Sequence, residues 1–425
     1  METAQLYQRF LEFPKVCTDT RKITENCIFF ALKGDNFNGN KYAGEALVKG
    51  AAYAVVDQKE YAISDHCLLV DDVLQTLQKL ATFHRDHSKA KVICLTGSNG
   101  KTTTKELINA VLSKEYRTIA TEGNLNNHIG VPLTLLTIRP DTEIAIVEMG
   151  ANHQKEIEFL SNVARPDFGY ITNFGKAHLE GFGSEEGIIK GKSELYDNLI
   201  ENSKYIFMNA DDPIQVQKLG GYIKKFGFSI RNHKYFKIEF LSANPFVKIK
   251  VEEKIMESKL IGSYNFTNCA AAILMGKYFN VSLDEIKGAI ESYIPKNNRS
   301  QIINKNGHQI ILDAYNANPT SMKAALENFQ QMAGDHKIVF LGDMFELGET
   351  AAEEHQKIAE MAIEARFDSI FCIGENFAKT KSDLKTFEKF ENVSDFIIEN
   401  PVPEKSTILI KGSRGMKLER LLELL

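Results

Sequence analysis

The sequence lacks paired cysteines, long hydrophobic runs and an excess of basic charge. Its six cysteines are scattered over 425 residues without a Cys-x-x-Cys pair, which disfavours zinc and redox motifs and is typical of reduced thiols. No run approaches the ~20 apolar residues of a membrane span. The first residues show no basic segment followed by an apolar one, so we expect no signal peptide and a cytoplasmic protein. The net charge of -5 argues against nucleic acid as a partner.

What the sequence does contain is enough apolar material for several cores. Hydrophobic residues make up 43% of the chain, which predicts an ordered globular protein. A single core rarely grows beyond ~250–300 residues, so two or three domains are expected. Residues 1–88 mix short apolar runs with turns and predict a small α/β domain. Within it we expect strands at 28–32 and 51–56, a helix at 41–49, and a boundary in the polar stretch 84–91.

Between residues 89 and 295 the pattern changes to buried strands that alternate with helices. Such spacing is typical of a mostly parallel sheet, here of the kind that carries a phosphate-binding loop. The predicted strands lie at 91–96, 143–150, 167–173 and 204–211. Residues 222–260 instead alternate apolar and polar positions, which predicts an antiparallel patch. Helices are expected over 265–278 and from about Leu283.

A second boundary is expected at 295–299, and residues 296–425 predict a third domain. The runs QIILDAY, KIVFLGD, SIFCIG and TILIKGS each have the composition of a strand that ends in polar or glycine residues. Helical patterns fill the gaps between them. The sequence therefore predicts a Rossmann-like α/β domain here, and a three-domain α/β fold overall.

The strongest motif is TGSNGKTT, which lies between a predicted strand and a predicted helix. Its glycines let backbone N–H groups surround phosphate oxygens at a helix N-terminus. A lysine at its end supplies charge to the outer phosphates, and the next threonine can bind Mg²⁺. A turn that merely connects strand and helix is the alternative. The predicted nucleotide-binding residues are Gly97, Ser98, Asn99, Gly100, Lys101, Thr102 and Thr103.

Three further residues downstream are candidates for chemistry. Glu148 ends an apolar strand, where ligands bind in open α/β sheets, but it could instead cap the next helix. His178 lies in a glycine-rich loop and could bind a metal or be ordinary polar surface. Lys192 lies on a predicted helix that begins near Ser184, and most helix lysines are solvated.

In their order along the chain, these residues resemble the Mur ligase family. The resemblance continues through SYNFTNCAAA, PKNNRSQ and DAYNANP. It implies that Asn265 and Asn268 lie near adenine, that Arg299 contacts an ATP phosphate, and that Asp313 contacts the ribose. It also implies that Thr102, Glu148 and His178 bind Mg²⁺. Lys192 matches a lysine that several members carry as a carbamate, which would make it catalytic together with Lys101 and His178.

Several segments resemble the D-alanyl-D-alanine-adding type within that family. These are GNLNNHIGVPLTLL (123–136), DAYNANPTSM (313–322), GDMFELGE (342–349) and KGSRGMKLE (411–419). They imply that Asn124, Asn126, Asn316 and Asn318 contact the peptide substrates. For Asn318, a turn that starts a helix at Pro319 is the alternative. The segment 18–47 resembles the family's uridine-substrate domain, with Thr18 to Arg21 and Lys33 as candidate contacts.

The resemblance implies ATP-dependent joining of D-alanyl-D-alanine to a UDP-N-acetylmuramoyl-tripeptide through an acyl phosphate. ATP and Mg²⁺ are the expected cofactors, with two metal ions because a carboxylate must approach a triphosphate. We expect a monomer whose domains close around the ligands. Three alternatives stay open: the ligase that adds the third amino acid, a folylpolyglutamate synthetase, and a P-loop switch or motor.

Overall fold

A computed structural model describes residues 1–296 and 298–425 of the chain. Asn297, which falls inside the predicted boundary at 295–299, lies outside the described residues. Over the described ranges, no helix has both the length and the apolar character needed to cross a bilayer.

The N-terminal region forms a four-stranded parallel sheet with helices against it. Its strands, in spatial order, are Val16–Cys17, Ile28–Phe30, Tyr53–Val56 and Cys67–Leu69, and its helices are Thr3–Glu12, Ala43–Val48 and Val73–His87. A hairpin pairs Lys33–Gly34 with Phe37–Asn38. Both predicted strands and the predicted helix are confirmed, with shorter bounds. The helix Val73–His87 occupies the first part of the polar stretch 84–91, and the first strand of the central sheet begins at Lys91.

The central region contains a seven-stranded sheet in which every pairing is parallel. The spatial order is Phe236–Lys237, Lys225–Ser229, Tyr205–Asn209, Phe168–Ile171, Lys91–Thr96, Ile144–Glu148 and Thr118–Ala120. The strand Lys91–Thr96 lies where the chain switches from one side of the sheet to the other. Ligands bind outside the carboxyl ends of strands at such a point. The fold therefore places the TGSNGKTT loop in the expected position.

The antiparallel patch predicted for 222–260 is confirmed only in its second part. Three antiparallel strands are present at Glu239–Ala243, Phe246–Val251 and Lys254–Ile261. Residues 225–229 instead add a parallel strand to the large sheet, with their last three residues buried. Alternation of apolar and polar residues indicates a half-exposed strand, but it does not determine which neighbour that strand pairs with.

The C-terminal region forms a six-stranded sheet. Its spatial order is Gln301–Lys305, His308–Asp313, Thr407–Lys411, Lys337–Gly342, Ser369–Ile373 and Lys385–Phe387. Only the first pairing is antiparallel. The four predicted strands are confirmed, and the two edge strands were not predicted because they are partly exposed and mix polar with apolar residues. The α/β class with mostly parallel sheets agrees with the prediction.

Helices cover the faces of the two larger sheets. In the central region they are Lys101–Leu112, Gly130–Leu135, Glu156–Ala164, Leu179–Phe182, Glu185–Glu201, Pro213–Leu219, Asn265–Tyr278 and Leu283–Ser292, and in the C-terminal region Pro319–Gln331, Ala351–Glu364 and Phe390–Glu399. The helix Asn265–Tyr278 is buried almost throughout. Its small residues allow a close approach to the phosphate-loop helix, since a side chain at Gly276 would collide with Val111. This packing fixes Asn265 and Asn268 beside the loop.

Candidate active site

A cavity of about 760 Å³ lies at the carboxyl ends of the central and C-terminal sheets. Every predicted site residue lines it except Gly97 and Lys192. Of the described residues, none before Ser98 lines it, so the candidate uridine contacts of the first domain lie elsewhere. Lys33, for example, forms an ion pair with Asp57 at 3.0 Å. The cavity is therefore shared by two regions that are distant in sequence.

Two glycines of the phosphate loop have backbone conformations that other residues rarely adopt. Gly97 has φ of 139° and Gly100 has φ of 80°. A Cβ at Gly97 would collide with the Thr172 hydroxyl, and one at Gly100 would lie 2.5 Å from Asn268 Oδ1. Glycine is required at both positions because it has no Cβ. The loop can therefore pack tightly between its neighbours at the edge of the cavity.

Lys101 is the first residue of the helix that follows the loop. Its Nζ folds back and donates to the carbonyls of Gly97 and Ser98, at 2.7 and 3.3 Å. Burial lowers the pKa of Lys101, an effect that Glu148 opposes. The ammonium thus lies at the mouth of the loop, where it can exchange carbonyl oxygens for phosphate oxygens.

Thr102 and Glu148 form a buried pair of oxygen donors next to the loop. Thr102 Oγ1 donates to Glu148 Oε2 at 3.0 Å, and Asn126 Nδ2 donates to Glu148 Oε1 at 2.9 Å. The Glu148 side chain therefore does not cap the following helix. Proteins usually bind Mg²⁺ through one or two hydroxyl or carboxylate oxygens, and phosphates and water complete its coordination shell. This pair fits a magnesium ion.

His178 lies in a left-handed turn with φ of 55° at the start of a short helix. Its Nδ1 lies against the carboxylate of Glu346, in the C-terminal GDMFELGE segment. A hydrogen bond from His178 lowers the pKa of Glu346. A carboxylate on one ring nitrogen commonly orients the other nitrogen toward a metal. Within the described part of the chain, no three His, Cys, Asp or Glu side chains come together as a metal cluster.

Lys192 lies behind the cavity wall and is completely buried. Its Nζ donates to the carbonyl of Ala151 at 3.0 Å and lies 4.8 Å from the centre of the Phe182 ring. Burial lowers the pKa of Lys192 well below its usual range, and the nearby charge of Lys101 lowers it further. The solvated-lysine alternative is therefore wrong. The helix begins at Glu185 with Ser184 as its cap, close to the prediction.

The asparagines on the buried helix are linked to each other and to the loop helix. Asn268 Nδ2 donates to Asn265 Oδ1 at 2.8 Å, and Asn268 Oδ1 accepts from Thr104 at 3.0 Å. Asn265 Nδ2 donates to the Ile261 carbonyl at 2.8 Å. Among the described residues, one N–H of each amide nitrogen has no acceptor, so each amide can donate to a ligand.

The C-terminal wall is made of charged groups. Asp313 Oδ2 pairs with Lys411 Nζ at 2.6 Å, and Asp313 Oδ1 accepts from the Ser300 N–H at 3.1 Å. The Arg299 guanidinium stacks on the Tyr315 ring, 3.6 Å from its centre. Lys411, Tyr315 and Glu346 were not predicted as site residues. All three lie in segments that carried the family resemblance, which was the available signal.

The predicted peptide contacts divide into two kinds. Asn124 and Asn316 are exposed on the cavity wall, and among the described residues Asn316 Oδ1 accepts only from the adjacent Ala317 N–H, at 2.9 Å. Asn318 is 6% exposed and caps the helix Pro319–Gln331, as the alternative interpretation expected. Asn126 is committed to Glu148. Asn124 and Asn316 therefore keep polar groups free for a ligand.

Comparison with known proteins matches nearly all of the chain to one family. The model of the Mur ligase middle domain matches residues 95–276, and that of the Mur ligase, glutamate ligase domain, matches 298–414. A UDP-N-acetylmuramoyl-tripeptide–D-alanyl-D-alanine ligase of Bacillus subtilis (strain 168) is 35% identical over 428 residues. That alignment covers 96% of this chain and 92% of the relative.

Two solved structures are similar over nearly their full length. MurF from Acinetobacter baumannii has a TM-score of 0.84 and 30% identity, over 96% of this chain and 92% of that one. The MurF ligase from Thermotoga maritima in complex with ADP has a TM-score of 0.84 and 26% identity, over 97% of each chain. The predicted family and its type are confirmed. The chain belongs to the Mur ligase family, in its UDP-N-acetylmuramoyl-tripeptide–D-alanyl-D-alanine ligase (MurF) branch.

Proposed function

We propose that this chain joins D-alanyl-D-alanine to a UDP-N-acetylmuramoyl-tripeptide at the expense of ATP, giving the UDP-muramoyl-pentapeptide, ADP and phosphate. The observation that carries the proposal is the shared cavity. It places the phosphate loop and the Thr102–Glu148 pair opposite Arg299, Asp313 and the free amide of Asn316. A switch or motor has no need of a second wall with amide and charged groups for an amine substrate.

The reaction needs activation because a carboxylate does not react with an amine in water. A tripeptide carboxylate oxygen attacks the γ-phosphorus of ATP and ADP leaves, which gives an acyl phosphate. The dipeptide amine then attacks the acyl carbon, the C–O bond to phosphate breaks, and the amine loses a proton. Lys101 and the loop N–H groups would hold the phosphates and offset their charge, while Arg299 approaches from the other wall.

Thr102 and Glu148 would hold magnesium, with His178 oriented by Glu346 as a further ligand. The bound metal would neutralise charge between the phosphates and the attacking carboxylate. Asp313, fixed by Lys411 and Ser300, presents a carboxylate suited to ribose hydroxyls. Asn124 and Asn316 can donate to and accept from a zwitterionic dipeptide.

Lys192 is proposed to react with carbon dioxide to form a carbamate. The reaction consumes the neutral amine, forms an N–C bond and releases one proton. Complete burial and a lowered pKa favour that neutral form. Bicarbonate is expected to restore part of the activity of Lys192→Ala, and wild-type activity in that variant without bicarbonate would contradict the proposal.

We also propose a monomeric state, a cytoplasmic location and a division into three domains, at 1–88, 89–295 and 296–425. Each of the three main sheets takes all of its strands from one of these segments, which supports the division. Gel filtration with light scattering checks the monomer, since a mass near twice 47.8 kDa would overturn it.

The test of function is phosphate release from ATP, measured with and without each peptide substrate. Release that requires both the UDP-muramoyl-tripeptide and D-alanyl-D-alanine, with a pentapeptide product by mass, is the expected result. Release with ATP alone would indicate a switch or motor. Release that requires a folate and glutamate would indicate the other ligase branch, and product formation with a single amino acid would indicate the ligase for the third residue.

A further inference from the structure

The central and C-terminal regions meet along a line of specific polar contacts beside the cavity. The Lys176 N–H donates to Thr320 Oγ1 at 2.9 Å, and the Glu180 N–H donates to the Glu346 carbonyl at 3.1 Å. One contact in this line reaches the phosphate loop itself. Asn318 Nδ2 donates to Asn99 Oδ1 at 2.8 Å, and Asn99 Nδ2 donates back to Asn318 Oδ1 at 3.4 Å.

The side-chain oxygen of Asn318 already accepts two hydrogen bonds, so it has no lone pair left for the peptide substrate. Its Oδ1 also accepts from the Ser321 N–H at 2.9 Å, and its own N–H donates to Ser321 Oγ at 3.1 Å. This reciprocal capping box fixes the side chain at the start of the helix Pro319–Gln331. The amide facing Asn99 is therefore held by a rigid element of the C-terminal region.

Asn99 is fixed equally well on the other side. Its carbonyl accepts from Thr172 Oγ1 at 2.6 Å and from Asn173 Nδ2 at 3.0 Å, and its N–H donates to Asn173 Oδ1 at 3.2 Å. Gly175 makes room for the pair, because a Cβ there would lie 3.1 Å from Asn99 Nδ2. Thr172 and Asn173, which follow the strand Phe168–Ile171, thus hold the Asn99 backbone. The Asn99 side chain is held by Asn318 of the C-terminal region.

We propose that Asn318 is a positioning residue for the phosphate loop, acting through Asn99, and that it is not a ligand of D-alanyl-D-alanine. The paired amides hold the loop in the shape that receives the nucleotide phosphates when the two regions are together. Nucleotide binding and closure of the regions are thereby coupled, since each favours the arrangement in which the pair is made. The inference rests on the proposed function for the identity of the nucleotide and the dipeptide.

The test is a double-mutant cycle with Asn318→Ser and Asn99→Ala, read on the Kd of a non-hydrolysable ATP analogue by calorimetry. Serine is as good a helix cap as asparagine but is too short to reach Asn99. In the wild-type background, Asn318→Ser is expected to raise the Kd about fivefold, the size of one or two neutral hydrogen bonds. In the Asn99→Ala background, the same change is expected to alter the Kd by less than about twofold.

Ser321→Ala is the matched control, because it removes the hydroxyl that accepts from the Asn318 N–H but keeps the Ser321 N–H that holds the Asn318 side chain. It is expected to lower the thermal midpoint and leave the Kd unchanged. An equal effect of Asn318→Ser in both backgrounds, or an unchanged Kd in the first, overturns the inference. A raised KM for D-alanyl-D-alanine with an unchanged Kd assigns Asn318 to the dipeptide instead. Calorimetry needs neither peptide substrate, so failure here is distinct from failure of the phosphate-release test.

Discussion

The two walls of the cavity achieve their polar surfaces in different ways. The central wall depends on backbone conformation, with Gly97 and Gly100 at positive φ and a lysine folded over the loop. The C-terminal wall depends on a buried charge pair, Asp313 with Lys411, which are neighbours in two adjacent parallel strands. The phosphate loop is therefore formed by eight consecutive residues, whereas the charge pair exists only after residues 98 positions apart have come together.

The greatest loss of kcat is expected from a change in the central wall. Lys101→Met removes the charge that can reach the outer phosphates, so kcat is expected to fall by about 10²–10³-fold. Steady-state phosphate release at saturating substrates measures it, with Lys218→Met, an exposed lysine remote from the cavity, as the control. A kcat within threefold of the unaltered enzyme would show that the loop backbone suffices alone.

In the C-terminal wall, loss of one charge should lower the stability of the folded protein. Lys411→Met leaves the Asp313 carboxylate, whose side chain is 18% exposed, without its cation. The free energy of unfolding is expected to fall by about 3 kcal/mol in urea titrations. The double variant Lys411→Met with Asp313→Asn should recover most of this loss, because no uncompensated charge remains. Equal stabilities for the single and double variants would mean that the pair contributes only packing.

A smaller effect separates backbone conformation from close packing. Gly100→Ala is strained by the positive φ at this position and also places a Cβ 2.5 Å from Asn268 Oδ1. Gly183 has a similar φ of 78° and nothing within 4 Å of the added Cβ, so Gly183→Ala is the matched control. The control is expected to cost about 1–2 kcal/mol of stability. Gly100→Ala should cost more and should also raise the KM for ATP, and equal costs with unchanged KM would contradict the close-packing argument.

The smallest effect lies outside the cavity and depends on pH. Burial alone would raise the pKa of Asp167, but bonds from Lys204 and the Val92 N–H, together with the charge of Arg85, lower it overall. A carboxylate with a lowered pKa contributes stability above its unfolded pKa of ~3.9, and that contribution is lost as the pH falls through the folded value. Thermal midpoints between pH 6 and 3 should therefore fall less steeply for Asp167→Asn. Parallel profiles for the two proteins would rule out this contribution.

The difference between the walls explains what the sequence could predict. The TGSNGKTT loop, the strand that ends at Glu148 and the helix Asn265–Tyr278 were predicted because each is a contiguous pattern with its own local cause. Lys411 was missed because its role depends on the register between strands, which no local pattern encodes. The same limit applies to Asn318. Its local sequence predicts a helix cap, but not the contact with Asn99 of the central region.

Two edge strands, and the helix that occupies the first part of the polar stretch 84–91, were not predicted for a related reason. Gln301–Lys305 and Lys385–Phe387 are partly exposed, so they show neither a continuous apolar run nor a regular alternation. The helix Val73–His87 continues through a polar stretch because His84 and Arg85 are buried in contacts with the central region. Arg85 reaches Asp167 at 2.8 Å, and His84 Nε2 lies 2.9 Å from the Ile138 carbonyl. Polar composition alone therefore indicated a linker where tertiary contacts maintain a helix.

Isotopic labelling can follow the oxygen atoms of the tripeptide carboxylate through the reaction. The two walls are proposed to bring this carboxylate to the γ-phosphate, so one of its oxygens must leave with the phosphate when the amide forms. With both carboxylate oxygens labelled as ¹⁸O, mass spectrometry should find one ¹⁸O in each released phosphate and one in the new amide carbonyl. Unlabelled phosphate, formed together with pentapeptide, would contradict the acyl phosphate and with it the role proposed for the shared cavity.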